Sequence, residues 1–270
     1  GVTPTADTLS SVDVTFTLVQ YMALYGVTDQ MVDVHEDGDY IPEEAKRQVG
    51  QRMGLVGEMV RYGSYKAGTN VFYSGGSSRG TVANTVTLNL LRKVAKSLKS
   101  NHAKQITNVL AASTSFATTS VEPAYVVFCS SDLEPAIREL AGFKEASTYA
   151  QRKMIHDMEI GSCEQFRFVV SPEMVGYIDS GAAVGSTGMI STTGSNIDVY
   201  PMIMMAEEAV GQSHLGGVEN WDAWYLPPGQ RDKADPGGQR GYVGAKWYYT
   251  AGILNQGRMA VVECGTPTLS

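Results

Sequence analysis

The pentapeptide Gly76-Ser77-Ser78-Arg79-Gly80 is the stretch whose residue types and spacing come nearest to a catalytic signature. It reads G-x-S-x-G, the sharp turn that presents a nucleophilic serine in α/β-hydrolases, with acid and histidine following in chain order. Ser78 has Asp132 downstream as the acid and His156 or His214 as the base. Two features weigh against that chemistry. Thr81-Val82-Ala83-Asn84-Thr85-Val86 is poor material for a helix starting straight after the serine. The chain also lacks the regular strand–helix alternation such a fold needs. The other reactive side chains do not group. His35, His102, His156 and His214 stand singly, with no HExxH and no helical histidine pair. His102, four residues after Leu98 and four before Ile106, reads as the flank of a core. Cys129, Cys163 and Cys264 form no CxxC pair, which excludes a cysteine-rich zinc site. Asp33 to Asp39 is acidic but lacks the glycine position and distal glutamate of a calcium loop, so it reads as a polar turn. No lysine follows Gly75-Gly76, which removes a phosphate-cradling P-loop. The expectation is therefore no catalytic residue, no metal ligand and no cofactor.

Composition narrows the class further. A chain of 270 residues buries roughly three-quarters of its unfolded surface and needs no disulfide staples. Its apolar runs fall short of the roughly 18 to 20 residues of a membrane helix. Three cysteines exclude a disulfide framework. A net charge of −7 argues against a dedicated sequence-reading DNA binder. That charge is unevenly spread. Eight basic and no acidic residues fall between Met59 and Val121. Arg92, Lys93, Lys96, Lys99 and Lys104 in this segment are candidates for a surface facing nucleic acid or an acidic neighbouring subunit.

The elements that would position these groups alternate without a steady rhythm, which gives an α+β class. Val12, Val14, Phe16 and Leu18 alternate with polar residues and predict a strand with one covered side over Val12 to Val19. Pro42-Glu43-Glu44 marks a helix start. Val49, Met53, Val56, Met59 and Val60 then carry an apolar stripe to about Lys66. Gly50, Gly54 and Gly57 inside this helix each cost up to ~1 kcal/mol relative to alanine and imply close packing. Val71-Phe72-Tyr73 predicts a short strand, and Leu88, Leu91, Ala95, Leu98, Ile106 and Val109 predict a helix over Thr87 to Leu110. Ser113 to Ser120 reads as a link and Ala124 to Cys129 as a strand buried on both faces. A capped helix is expected from Ser131 to Leu140 and another strand at Phe166 to Val170. Gly181 to Ser195 reads as a flexible polar loop, Val199 to Met205 as an apolar run. Gly244 to Tyr249 and Arg258 to Cys264 read as two closing strands around Asn255-Gln256-Gly257.

Several of these stretches, taken in order, resemble the major capsid proteins of tailed double-stranded DNA phages, the HK97-like fold, and more narrowly the coat proteins of the podovirus group typified by phage N-four. The stretch from Val12 to Tyr21, closing on Val27-Thr28-Asp29, resembles the strand that returns from the family's E-loop. Leu91 to Lys104 is similar to the family's basic helix. Glu159-Ile160-Gly161 before Phe166-Arg167-Phe168-Val169 resembles another of its stretches. Asp198 to Pro201, Asp235-Pro236, Gln239 to Gly241 and Gly244 to Trp247 resemble its closing block.

The resemblance implies an E-loop over 1–31, a spine helix over 41–66, a peripheral domain from 69–112 and 241–265, and an axial domain over 121–235. It implies Val12, Val14, Phe16 and Leu18 as an E-loop interface. It also implies self-assembly into hexamers and pentamers of an icosahedral shell around double-stranded DNA, in the virion, after assembly in the host cytoplasm. Decoration, portal and scaffold proteins are the partners it implies, with no membrane. The chain opens at Gly1 with no methionine and no visible signal peptide, so the expectation is either a removed pro-segment or missing upstream residues. Gly1 to Thr5 resembles the tip of the E-loop, which implies that the hairpin's first strand lies upstream of this sequence. An encapsulin-like shell around protein cargo and a serine hydrolase using Ser78 are the alternatives.

Overall fold

The computed structural model describes residues 8, 11–37, 40–110, 118–149, 153–185, 187–216, 221–231 and 233–269. The expected loop tip at Gly1 to Thr5 and residues 113–117 of the expected link lie outside them. In chain order the elements are β1 (Val19–Thr28), α1 (Asp29–Val34), α2 (Tyr40–Tyr65), β2 (Val71–Tyr73), α3 (Leu88–Ser100), β3 (Ile106–Leu110), β4 (Thr118–Ser130) and α4 (Glu134–Arg138). They continue as β5 (Lys144–Glu145), β6 (Glu159–Cys163), β7 (Phe166–Ser171), β8 (Tyr200–Met205), β9 (Val210–His214), β10 (Asp222–Leu226), β11 (Arg240–Ile253) and β12 (Met259–Cys264).

Two sheets organise the chain. The large one runs β2-β12-β8-β4-β7-β6-β5, with β3 alongside β4, and mixes parallel and antiparallel neighbours. Every residue of β8 and β12 is buried, as expected for continuous apolar strands covered on both faces. On one face α3 lays Leu91, Val94, Ala95 and Leu98 against Val127, Phe166, Phe168, Met202, Met204 and Val262. Thr87 caps this helix, accepting the Leu90 amide at 3.3 Å. On the other face Ile203, Met205, Met259 and Val261 join a second core that contains α2 and the small sheet.

The small sheet is built on the 14-residue strand β11, which pairs antiparallel with β1 along one edge and with β10 and β9 along the other. Its inner face carries Ala23, Val27, Val243, Ala245, Trp247 and Tyr249, on which α2 packs. At ~1.5 Å per residue the 26 residues of α2 span ~39 Å. Val49, Met53 and Gly57 form its buried stripe, and Gly57 rests against the Trp247 indole.

Several expectations are corrected. The strand forecast for Val12 to Val19 begins only at Val19 and runs to Thr28. Alternation marks a face, but a strand also needs a partner, and the ladder with β11 ends at the Val19–Tyr249 pair. The helix forecast to Leu110 stops at Ser100. His102 adopts φ +53° at its exit, and β-branched Ile106, Thr107 and Val109 go to β3 instead. His102 is exposed, not the flank of a core. The helix forecast over Ser131 to Leu140 shrinks to a 3-10 turn at Ser131–Leu133 and one helical turn at Glu134–Arg138. Of the three glycines in the long helix, Gly57 has a close neighbour, whereas a Cβ at Gly50 or Gly54 would meet nothing within 4 Å.

Candidate assembly surfaces

The Ser78 turn does not bring Ser78 to the histidines or the aspartate named with it in any hydrogen bond among the described residues. Ser78 caps a 3-10 turn at Arg79–Thr81, and its Oγ lies 3.3 Å from Thr81 Oγ1. Its proposed partners do other work. His214 is stacked on Trp247 and accepts the indole N–H at Nδ1 over 3.2 Å. The His156 Nδ1 accepts the Met158 amide, and the Asp132 carboxylate is hydrogen-bonded to the Tyr200 phenol. The residue that matters in this turn is Arg79. Its guanidinium grips the buried Glu263 through Nε (2.8 Å) and Nη2 (2.6 Å) and lies 3.6 Å above the Tyr177 ring. Sequence reading picked the pentapeptide for its serine and missed the arginine. An acidic residue inside the apolar run Met259 to Cys264 was the available signal, since a buried carboxylate requires a partner.

A second ion pair, buried on both sides, joins β6 to β7. Glu159 Oε1 receives Arg167 Nε at 2.7 Å, and Glu159 Oε2 receives Arg167 Nη2 at 3.0 Å, with side chains 0% and 5% exposed. Tyr149 and the Ile155 amide complete the carboxylate's shell at 3.1 and 2.7 Å. Charge-assisted, bidentate bonding of this kind keeps both ions tolerable away from water. The polar stretch forecast over Gly181 to Ser195 is tied at its C-terminal end by side-chain hydrogen bonds. The buried Asp198 carboxylate accepts the Asp179 and Thr192 amides and the Thr192 hydroxyl, at 2.8, 2.9 and 2.6 Å. Asp179 Oδ1 in turn accepts the Asn196 amide at 2.7 Å and the Thr193 hydroxyl at 2.8 Å.

Among the described residues, two surfaces carry groups without partners in the chain. The first is the arm before β1 and the outer face of the small sheet. Val12 is 89% exposed, and Val14 is also exposed, while Phe16 and Leu18 are half-buried. Phe16 folds onto Gly252, where an added Cβ would collide with its ring. Beside the arm, Met22 (59%) and Leu24 (46%) project from β1, and Leu226 (44%) from β10. Among the described residues β1 has a strand on one side only, so its other edge presents open backbone groups.

The second surface is the solvent face of α3. Arg92, Lys93, Lys96 and Lys99 are exposed there, and Lys104 follows after the helix exit. The structure thus gathers four of the five cations onto one helix. They are not equivalent. Arg92 gives both Nε (2.8 Å) and Nη2 (2.7 Å) to Glu164, and Lys93 lies 5.8 Å above the Phe72 ring. Lys96, Lys99 and Lys104 enter none of the ion pairs among the described residues.

No protein-family model matches the chain. Over 97 residues it is 30% identical to the major capsid protein of Pseudomonas phage KPP21, a stretch covering 34% of this chain. The match spans about a quarter of that relative's length, 24%. Solved structures align across almost the entire chain. The capsid of Ralstonia phage GP4 matches at 12% identity with a TM-score of 0.65, covering 94% of this chain and 74% of that one. The encapsulin complex of Synechococcus elongatus PCC 7942 matches at 11% identity and a TM-score of 0.53, covering 91% and 73%. The long helix packed on the small sheet around β11, together with the large mixed sheet, makes the α+β fold seen in the HK97-like capsid proteins.

Proposed function

We propose that the chain is the major capsid protein of a tailed phage, a structural subunit that self-assembles into hexamers and pentamers of an icosahedral head enclosing double-stranded DNA. The observation that carries this reading is the superposition of 94% of the chain on a phage capsid subunit, joined to its sequence likeness to a phage major capsid protein. In this reading residues 1–31 belong to the E-loop, 41–66 are the spine helix, 69–112 with 241–265 form the peripheral domain, and 121–235 form the axial domain. The work of the protein is mechanical rather than catalytic. Of the candidate interface Val12, Val14, Phe16 and Leu18, the exposed Val12 and Val14 lie against a neighbouring copy while Phe16 anchors the arm on Gly252, and β1 offers its open edge nearby. A standard contact of ~1,600 Å² contributes on the order of tens of kcal/mol before the entropy costs of association. Closed rings then repeat each modest contact many times. Decoration, portal and scaffold proteins are further partners of such a head, whose place is the virion after assembly in the host cytoplasm.

The likeness to an encapsulin favours a second reading, a shell of the same fold around protein cargo. Particles purified from infected cells and treated with nuclease separate the two. A phage head retains protected double-stranded DNA of uniform length. A cargo compartment retains a co-purifying protein and no protected genome.

A further inference from the structure

Lys96 and Lys99 of α3 enter no ion pair among the described residues, and their arrangement is unfavourable for a helix standing in water. Arg92, Lys96 and Lys99 sit at i, i+4 and i+7, one above another on the solvent stripe, and like charges at such spacings repel. Arg92 shows what relieves them, a carboxylate laid across the helix, here Glu164. No second carboxylate of the chain reaches Lys96 or Lys99 in the ion pairs among the described residues. The reverse situation holds at the corner between β1 and α2. Asp33 on α1, Glu36 just after it and Glu43 in the first turn of α2 are all exposed, and none enters an ion pair among the described residues. The corner packs on β1 and the small sheet, whereas α3 packs on the large sheet, so the two patches belong to different cores.

A head-to-tail contact between identical subunits needs two different, complementary patches on one chain, and its repetition closes a ring where the rotation between copies closes. We infer that the Lys96–Lys99 face of α3 docks on the Asp33–Glu36–Glu43 corner of a second copy of this chain. The inference rests on the shell-subunit reading and adds to it the pairing that sets the register of neighbours. Complementary charge selects the partner and suppresses wrong orientations, because juxtaposed like charges are strongly unfavourable. Nucleic acid is the less favoured occupant of the face. The chain as a whole is acidic, and the one cation of this face that has found an ionic partner has found a carboxylate.

A charge swap in the full chain tests this. Lys96→Glu with Lys99→Glu should lower the yield of closed shells at least about tenfold, and so should Asp33→Lys with Glu36→Lys. All four substitutions together should restore shells to near the unsubstituted yield. Neutral Lys96→Gln with Lys99→Gln guards against misfolding, and should give an intermediate yield with an unchanged melting temperature. The docking is overturned if the four-fold variant assembles no better than either pair, or if the lysine reversal leaves shell yield unchanged while protected nucleic acid is lost. If the unsubstituted chain forms no shells at all, the shell-subunit reading itself has failed, a different result from failed rescue.

Discussion

Phe16 lies over Gly252, the residue it would face if the β1–β11 ladder, last paired at Val19 and Tyr249, continued three positions further. The arm therefore keeps the register of the sheet after its pairing has stopped, and a glycine opposite an aromatic ring holds it there. Gly252→Val would push the ring away, because a Cβ at this position collides with it. The expected outcome is faster chymotryptic cleavage at Phe16 and Leu18 with little change in global melting, since the arm adds little to either core. Unchanged cleavage would place the arm's anchor elsewhere.

The glycines of α2 should respond in opposite senses. A Cβ at Gly57 would stand 3.1 Å from the Trp247 ring, so Gly57→Val should lower stability by roughly 1–3 kcal/mol through overpacking. Gly54 faces open space, and Gly54→Ala should raise stability of the isolated subunit by up to ~1 kcal/mol through helix propensity. Urea unfolding of the two variants checks both signs.

Much of this architecture was readable in the residues, and the misreadings share a cause. The apolar stripe Val49–Met53–Val60 located α2, and the unbroken apolar run at Ala124 located the centre of β4, because both patterns follow from burial. Val12–Leu18 carries an equally clear period-two pattern but no strand, since pairing partners are supplied by distant chain. Ile106 and Val109 continued the helical stripe of α3 by coincidence of spacing, while their β-branched chemistry followed β4. The basic face was legible as charge. Its division, among the described residues, into Arg92 with an ion-pair partner and Lys96 and Lys99 without one was not, because Glu164 is brought alongside only by the large sheet.

Arg167→Met should be among the most destabilising single changes in the chain. It strands the Glu159 carboxylate in a buried site, at a cost of about 3–5 kcal/mol. Arg167→Met combined with Glu159→Leu should recover most of that loss, since an apolar pair of similar volume carries no uncompensated charge. Equal destabilisation of the single and double variants in denaturant titrations would contradict this.

The fold should weaken as solutions turn alkaline. Burial pushes the Cys264 thiol up to about 12 and the Cys129 thiol in the same direction, and it pushes the Tyr65 and Tyr200 phenols up to about 12. An unfolded chain releases these protons near roughly 8.5 for cysteine and 10 for tyrosine. The native state therefore binds more protons than the unfolded state above that point, and stability falls with rising pH. It is fully present below about pH 8.5, with a slope of up to ~1.4 kcal/mol per pH unit for each buried thiol. Urea midpoints measured from pH 7.5 to 10.5 should decline, and Cys129 and Cys264 should stay unreactive towards an aromatic disulfide reagent until the chain unfolds. A flat profile with prompt thiol labelling would contradict the burial.

The central claim is that this chain is a tile for a closed shell, and electron microscopy of the purified protein at assembly concentrations tests it most directly. The account predicts hollow particles of uniform diameter, with five- and six-fold clusters on their surface and the arm of each copy resting on its neighbour. A population that stays monomeric at every concentration and ionic strength, with Val12 and Val14 left in solvent, would contradict it.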